Sequence, residues 1–186
     1  MQRRLFTLCL FVLAVLRPTP VASQRAGGTP DSTRAAHRLF LGAAIAITAE
    51  PNYRPGETAV LLNVVPIVAE WAFATSIGVR LQSLVNLDLK TGQLGHVGAG
   101  LTLPFYLAGT PHAGWYAGPY GGLAGVSELG GSDLTLAVEG GPRWGLTDNL
   151  TLGLAIQAGA TRIVRPGHAS KWVTHLGAYP SLGLWF

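Results

Sequence analysis

The stretch from Thr91 to Ser127 carries no Asp, Glu, Lys or Arg, yet it contains ten glycines and three prolines. That combination restricts the fold more than any other feature of the chain. So apolar a stretch seeks a water-free setting. In a helix interior, however, each glycine costs about 1 kcal/mol and each proline about 3 kcal/mol, so a helix here is badly destabilised. Beyond the first residues, no other apolar run of helix length is free of Gly or Pro. In hydrocarbon only helices and closed barrels satisfy their own backbone. A closed β-barrel is the structure that remains.

Alternation supports this and assigns faces. Eight strand-like segments fall near residues 37–48, 58–69, 76–87, 93–106, 114–126, 132–144, 149–162 and 172–186. In the first, Leu39, Leu41, Ala43, Ile45 and Ile47 are predicted to face lipid, with Gly42, Ala44, Ala46 and Thr48 inside. In the third, Ile77, Val79, Leu81 and Val85 face out, leaving Gly78, Arg80 and Gln82 in the lumen. The fourth sends Val97, Leu101, Leu103 and Phe105 outward and His96, Gly98, Gly100 and Thr102 inward. The sixth places Leu134, Leu136 and Val138 outside, against Thr135, Glu139 and Arg143. In the seventh, Leu150, Leu152, Leu154 and Ile156 contrast with Thr151, Gly153, Ala155 and Gln157. The eighth alternates through Ala178, Pro180, Leu182, Leu184 and Phe186. The second and fifth segments stay ambiguous: Val60 to Ile67 is apolar on both faces, and Trp115 to Gly125 is mostly glycine and aromatics.

With both ends on the periplasmic side, connections alternate between the outer surface and the periplasm. The expected outer ones, 50–57, 88–92, 128–133 and 164–171, hold most of the charge. The expected periplasmic ones, near 70–75, 107–113 and 145–148, are flanked by Trp71, Phe73, Phe105, Tyr106, Trp115, Tyr116 and Trp144, as in an interfacial aromatic girdle. Five prolines, Pro66, Pro104, Pro119, Pro142 and Pro180, fall within predicted strands near the periplasmic rim. Each removes a ladder donor, which strand ends and bulges tolerate.

The beginning of the chain reads as an export signal. Arg3 and Arg4 precede the apolar stretch 5–16, Arg17 and Pro18 end it, and Val21-Ala22-Ser23 offers a cleavage site. We therefore expect a signal peptide over 1–23, a flexible periplasmic leader over 24–35, and one barrel domain over 36–186. Removing Arg3, Arg4 and Arg17 leaves ten basic residues against nine acidic ones, so the net charge of +4 nearly vanishes and no nucleic-acid partner is expected. Cys9 is the single cysteine and lies in the signal, so disulfide and thiol chemistry are not expected.

The text from Gly141 to Gly153 and the ending Leu182, Leu184, Phe186 resemble the small eight-stranded outer-membrane barrels of the OmpA and OmpX type, over roughly residues 36–186. In those hairpins a proline and an aromatic precede a short Asp-Asn turn and an alternating strand, as Pro142, Trp144 and Asp148-Asn149 do here. Pro66 to Gly78 is a looser copy. Ser181 stands where the usual C-terminal pattern has glycine. The resemblance implies an all-β, eight-stranded antiparallel up-and-down transmembrane β-barrel in the bacterial outer membrane. It also implies that Leu182, Leu184 and Phe186 are the assembly signal. The implied partners are outer-membrane lipid and lipopolysaccharide, the barrel-assembly machinery, and periplasmic chaperones.

Catalytic signals are poor, and no catalytic, cofactor or metal residue is expected. Gly125-Val-Ser-Glu-Leu-Gly130 has one residue too many for a nucleophile elbow. His37, His96, His112, His168 and His175 form no helix-spaced pair. His168-Ala-Ser170 has the His-x-Ser spacing of some lipid A deacylases, but no Asp or Glu follows Asp148 to orient the base. Isolated glycines such as Gly98, Gly100, Gly121 and Gly122 are read as relief of crowding. The inward charges Arg80, Glu139 and Arg143 are the candidate lumen network, which Glu70 could join. An eight-stranded lumen can be filled by side chains, so these groups are expected to pair inside a plug. The expected role is structural or surface-interactive and not enzymatic. A narrow channel or small-solute transporter is the alternative, a lipid A deacylase the third reading, and a soluble lipocalin-like barrel the last.

Overall fold

The computed structural model describes residues 38–126 and 130–186. The expected signal peptide, the leader, His37 and Ser127-Glu128-Leu129 lie outside the described residues. The strands are β1 (Leu39–Ala44), β2 (Ile47–Arg54), β3 (Glu57–Asn63), β4 (Ile67–Ala72), β5 (Gly78–Asp88), β6 (Gln93–Thr102), β7 (Phe105–Gly109), β8 (Gly114–Val126), β9 (Ser132–Gly145), β10 (Leu150–Val164) and β11 (Lys171–Trp185). They make eight antiparallel staves, because three staves are interrupted: β1 runs on into β2, β3 into β4, and β6 into β7. Each stave pairs with the next, and β11 closes on β1 and β2.

Closure satisfies the edge groups that hydrocarbon cannot. Leu41 faces Leu184 and Ala43 faces Leu182 across the seam. The last residue is held there by backbone alone: Arg38 N donates to Phe186 O at 2.8 Å, and Phe186 N donates to Leu39 O at 2.8 Å. Leu182, Leu184 and Phe186 all point outward and are 48%, 43% and 61% exposed.

The outer surface is apolar from Leu39 and Leu41 round to Leu123, Leu136, Ile156 and Leu182. A monomer in water rarely exposes so continuous an apolar surface, which makes this a lipid face. The outward residues expected in the first, third, fourth, sixth, seventh and eighth segments are there. The two ambiguous segments are resolved. In the fifth stave Tyr116 and Tyr120 turn inward and are 3% and 4% exposed, while Leu123 turns outward at 58%.

The second stave changes parity. Ala59, Leu61 and Asn63 point inward, and after Val64-Val65-Pro66 the inward positions are Val68, Glu70 and Ala72. A one-residue slip moves every side chain to the other face, which is why this segment reads as apolar on both sides. Two side chains patch the break. Asn63 Nδ2 donates to Ser83 O at 2.6 Å, and its Oδ1 accepts from Val65 N at 3.1 Å and Val85 N at 3.2 Å. The Ser83 hydroxyl donates to Val65 O and accepts from Ile67 N. A second parity change lies at Asn52, whose φ of 61° is a left-handed value that Asn tolerates.

Two of the five strand prolines, Pro66 and Pro104, fall in the interruptions. The carbonyls of Pro66, Pro119 and Pro180 still accept, from Ala44 N, Leu103 N and Ile45 N. The lumen glycines Gly100 and Gly122 flank Tyr120, and a Cβ on either would stand 2.6 Å from its hydroxyl oxygen. Gly121, by contrast, meets nothing within 4 Å, so crowding does not explain it.

The outer connections are shorter than expected, since strand continues through Glu50 to Arg54 and the turn holds only Pro55 and Gly56. At that tip Lys90 donates to Glu57 at 2.8 Å, and the ammonium holds the exposed carboxyl below its ordinary range.

These faces make a direct prediction. Leu136→Arg and Ile156→Arg, at outward positions, should each lower folding stability in lipid vesicles by roughly 2–4 kcal/mol. Leu136→Phe should fold like the parent. Equal stability of all three by urea titration refutes the assigned register.

The charged lumen as candidate functional site

Side chains inside a strand recur every second residue, so Glu139 and Arg143 of β9 share the lumen face. Glu70 of β4 stands opposite Arg80 of β5 in the ladder. Arg80 Nε donates to Glu70 Oε2 at 2.7 Å, and Arg80 Nη1 to Glu139 Oε1 at 2.5 Å. Arg143 holds Glu70 with both terminal nitrogens, Nη1 to Oε1 at 2.7 Å and Nη2 to Oε2 at 2.5 Å. Such a fork adds orientation as well as attraction.

The two carboxylates and two guanidinium groups balance in charge. Their remaining valences are also met. Tyr106 donates to Glu70 at 2.5 Å, Tyr116 to Glu139 at 3.0 Å, Thr102 to Glu139 at 3.2 Å, and Gln157 Nε2 to Glu139 at 2.6 Å. Arg143 Nη1 also reaches Pro111 O at 2.7 Å. The Tyr116 ring centre is 4.5 Å from the Arg80 guanidinium carbon and 4.4 Å from that of Arg143, within cation–π range of both. Glu139 and Gln157 are 0% exposed and Glu70 1%. Charges this deep persist only when paired and hydrogen-bonded.

A second cluster lies toward the loop end. Tyr53 donates to Asp133 Oδ2 at 2.6 Å, and Arg165 donates to Asp133 Oδ1 at 2.6 Å and to the Tyr53 hydroxyl. His96 Nε2 lies 2.8 Å from that hydroxyl and 3.0 Å from Asp133 Oδ2. Between the clusters, Thr161 donates to Glu50 at 2.7 Å, and His175 sits between Glu50 and Gln157.

The sequence named Arg80, Glu139 and Arg143 together. Arg80 meets Glu139, whereas the carboxylate partner of Arg143 is Glu70. Tyr106, Tyr116 and Gln157 were not named as members, although the parity that found Glu139 also finds Gln157. Asp133 and Arg165 were read as loop residues; they turn inward over the lumen and are partnered there. Trp185 was also missed. It is 0% exposed, packs on Phe40 at 5.5 Å between ring centres, and lies 5.8 Å from Arg143. His168 and Ser170 are exposed and apart in their bonding: His168 faces Pro166 O, and Ser170 accepts from Arg162.

Among solved structures the chain is similar to the outer membrane protein OprG from Pseudomonas aeruginosa, with a TM-score of 0.53 and 14% identity, over 80% of this chain and 96% of that one. The fold is that of a small eight-stranded outer-membrane β-barrel. A looser match is Ail, the attachment invasion locus protein of Yersinia pestis, solved with the heparin analogue sucrose octasulfate, at TM-score 0.37 and 14% identity over 80% of this chain and 97% of that one. No protein-family model and no curated protein matches the barrel by sequence.

Removing Glu139 leaves two buried guanidinium groups sharing the single carboxylate of Glu70. Glu139→Ala should therefore destabilise the barrel by about 3–5 kcal/mol. Tyr116→Phe, which loses only hydroxyl bonds, should cost about 1–3 kcal/mol. Lys90→Ala, at the exposed tip, should leave the urea midpoint unchanged. A Glu139→Ala barrel as stable as the parent defeats this account of the network.

Proposed function

We propose that the protein is an integral barrel of the bacterial outer membrane with a structural or surface-interaction role, its lumen plugged by side chains. The observation that carries this reading is the cluster of Glu70, Arg80, Glu139 and Arg143, each buried and each bonded across the lumen. A conducting lumen needs wet, unpaired groups along its length. Here four charges from β4, β5 and β9 meet within hydrogen-bond distance, which supports a plug.

The apolar outer face supports residence in lipid, and the fold supports the outer membrane. Arg38 and Phe186 lie together at one end of the barrel, which we assign to the periplasm. Leu182, Leu184 and Phe186 then form the outward edge that the barrel-assembly machinery reads after periplasmic chaperones deliver the chain. At the other end Arg162 and Trp172 face outward beside each other, as residues at a headgroup border do. Lipopolysaccharide is the expected neighbour there.

Planar-bilayer recordings test the plug. The parent protein should stay near background current. Steady ion-selective conductance overturns the plugged reading and favours the channel. The assembly signal has its own test: Phe186→Asp should reduce the heat-modifiable folded species recovered in the outer-membrane fraction. Unchanged recovery overturns that assignment.

A further inference from the structure

The middle of the lumen holds a hydrogen-bond chain whose directions can be read. Glu139 is a carboxylate paired with Arg80, so it only accepts. The group of Gln157 that faces it at 2.6 Å must be the amide nitrogen. The Gln157 carbonyl oxygen therefore faces His175 Nε2 at 3.2 Å, and that nitrogen must carry hydrogen. The other ring nitrogen, Nδ1, lies 3.0 Å from Glu50 Oε1, which already accepts from Thr161 at 2.7 Å. An ionised Glu50 cannot donate. Either Nδ1 also carries hydrogen, or Glu50 does. Both cases hold one proton more than a neutral imidazole beside an ionised carboxylate.

The charges around the pair lead to the same result independently. In the lower cluster two arginines balance two carboxylates, and at the loop end Arg165 is taken by Asp133. Glu50 is 3% exposed, and its one ion-pair partner among the described residues is His175. Without the added proton the lumen would bury a bare carboxylate, which is costly. Among the described residues no three His, Cys, Asp or Glu come together as a metal site.

We propose that Glu50 and His175 hold a shared internal proton, on the ring or on the carboxyl, that links the lumen's two clusters. The titratable and charged neighbours are few. Asp133 and Glu139 of β9 favour the bound proton, and Arg165 at the loop end opposes it. His96 of β6 is engaged with Tyr53 and Asp133. Tyr120 of β8 and Tyr179 of β11 line the same chamber as hydroxyls. That chamber, about 30 Å³, adjoins both partners, and Glu50 Oε2 and His96 Nδ1 are buried in its lining without protein partners. It has room for a water-sized proton carrier.

The test uses the full barrel in detergent micelles with 15N-labelled histidine and 13C-labelled glutamate. At pH 7 either the His175 ring should show both nitrogens protonated or the Glu50 carboxyl should show the shift of a protonated acid. In Glu50→Gln the His175 ring should be neutral. A neutral His175 beside an ionised Glu50 in the parent overturns the proposal with no variant needed, and so does a doubly protonated ring in Glu50→Gln.

Discussion

An amide in hydrocarbon has no water to fall back on, and nearly every feature of this molecule answers that one constraint. The sheet must close, so β11 pairs with β1 and β2 and the backbone of Phe186 completes the seam. Where the ladder fails, side chains must replace it. The three-residue interruption Val64-Val65-Pro66 is the clearest case. Asn63 supplies one donor and one doubly used acceptor, and Ser83 supplies a hydroxyl that serves both ends of the gap. A proline at a strand break removes a donor that the break would leave unpaired in any case.

Closure with eight strands then sets the interior. The lumen is narrow enough for side chains to touch across it, so whatever faces inward must pack or pair. Glycine at Gly100 and Gly122 makes space for the Tyr120 ring. Arginine enters where its fork can satisfy a carboxylate at two points, as Arg143 does with Glu70. A lysine would offer a point charge and leave part of the Glu70 valence to chance. The aromatic rings of Tyr106 and Tyr116 fill the space between these groups and present their hydroxyls to the acids.

Much of this was legible in the sequence, and the boundary of legibility is physical. Period-2 alternation reports face directly, so Leu39, Leu81, Leu101, Leu136 and Ile156 could be set in lipid and Arg80, Glu139 and Arg143 in the lumen. Alternation breaks where the backbone slips. The parity change after Asn63 blurred the second stave, and that at Asn52 hid how far strand continues past Glu50. Partner choice is a separate matter. Parity places Glu139, Arg80 and Arg143 on one inner surface, but only barrel stagger decides that Arg143 meets Glu70. Asp133 and Arg165 stand at strand ends where charge also suits a solvated loop, so no local signal draws them over the lumen. Trp185 lies between two outward residues of the final motif, and parity alone assigns it inward.

The two lumen clusters differ in kind. In the cluster nearer Phe186 the charged members are two arginines and two carboxylates, and arginine keeps its proton under all ordinary conditions. That cluster has a single charge state and acts as a fixed plug. Toward the loop end imidazole joins the pairing: His175 lies beside Glu50, and His96 beside Asp133, which Arg165 also holds. An imidazole can donate or accept at its ring nitrogens, so the pairing there is set by where hydrogen sits. Gln157 joins the two halves, donating to Glu139 on one side and accepting from His175 on the other. Because an amide cannot shift its hydrogens, it holds the fixed cluster in one polarity and passes that polarity to the histidine. The direction of the upper chain is thus dictated by an ion pair two residues away, from Arg80 through Glu139 and Gln157 to His175.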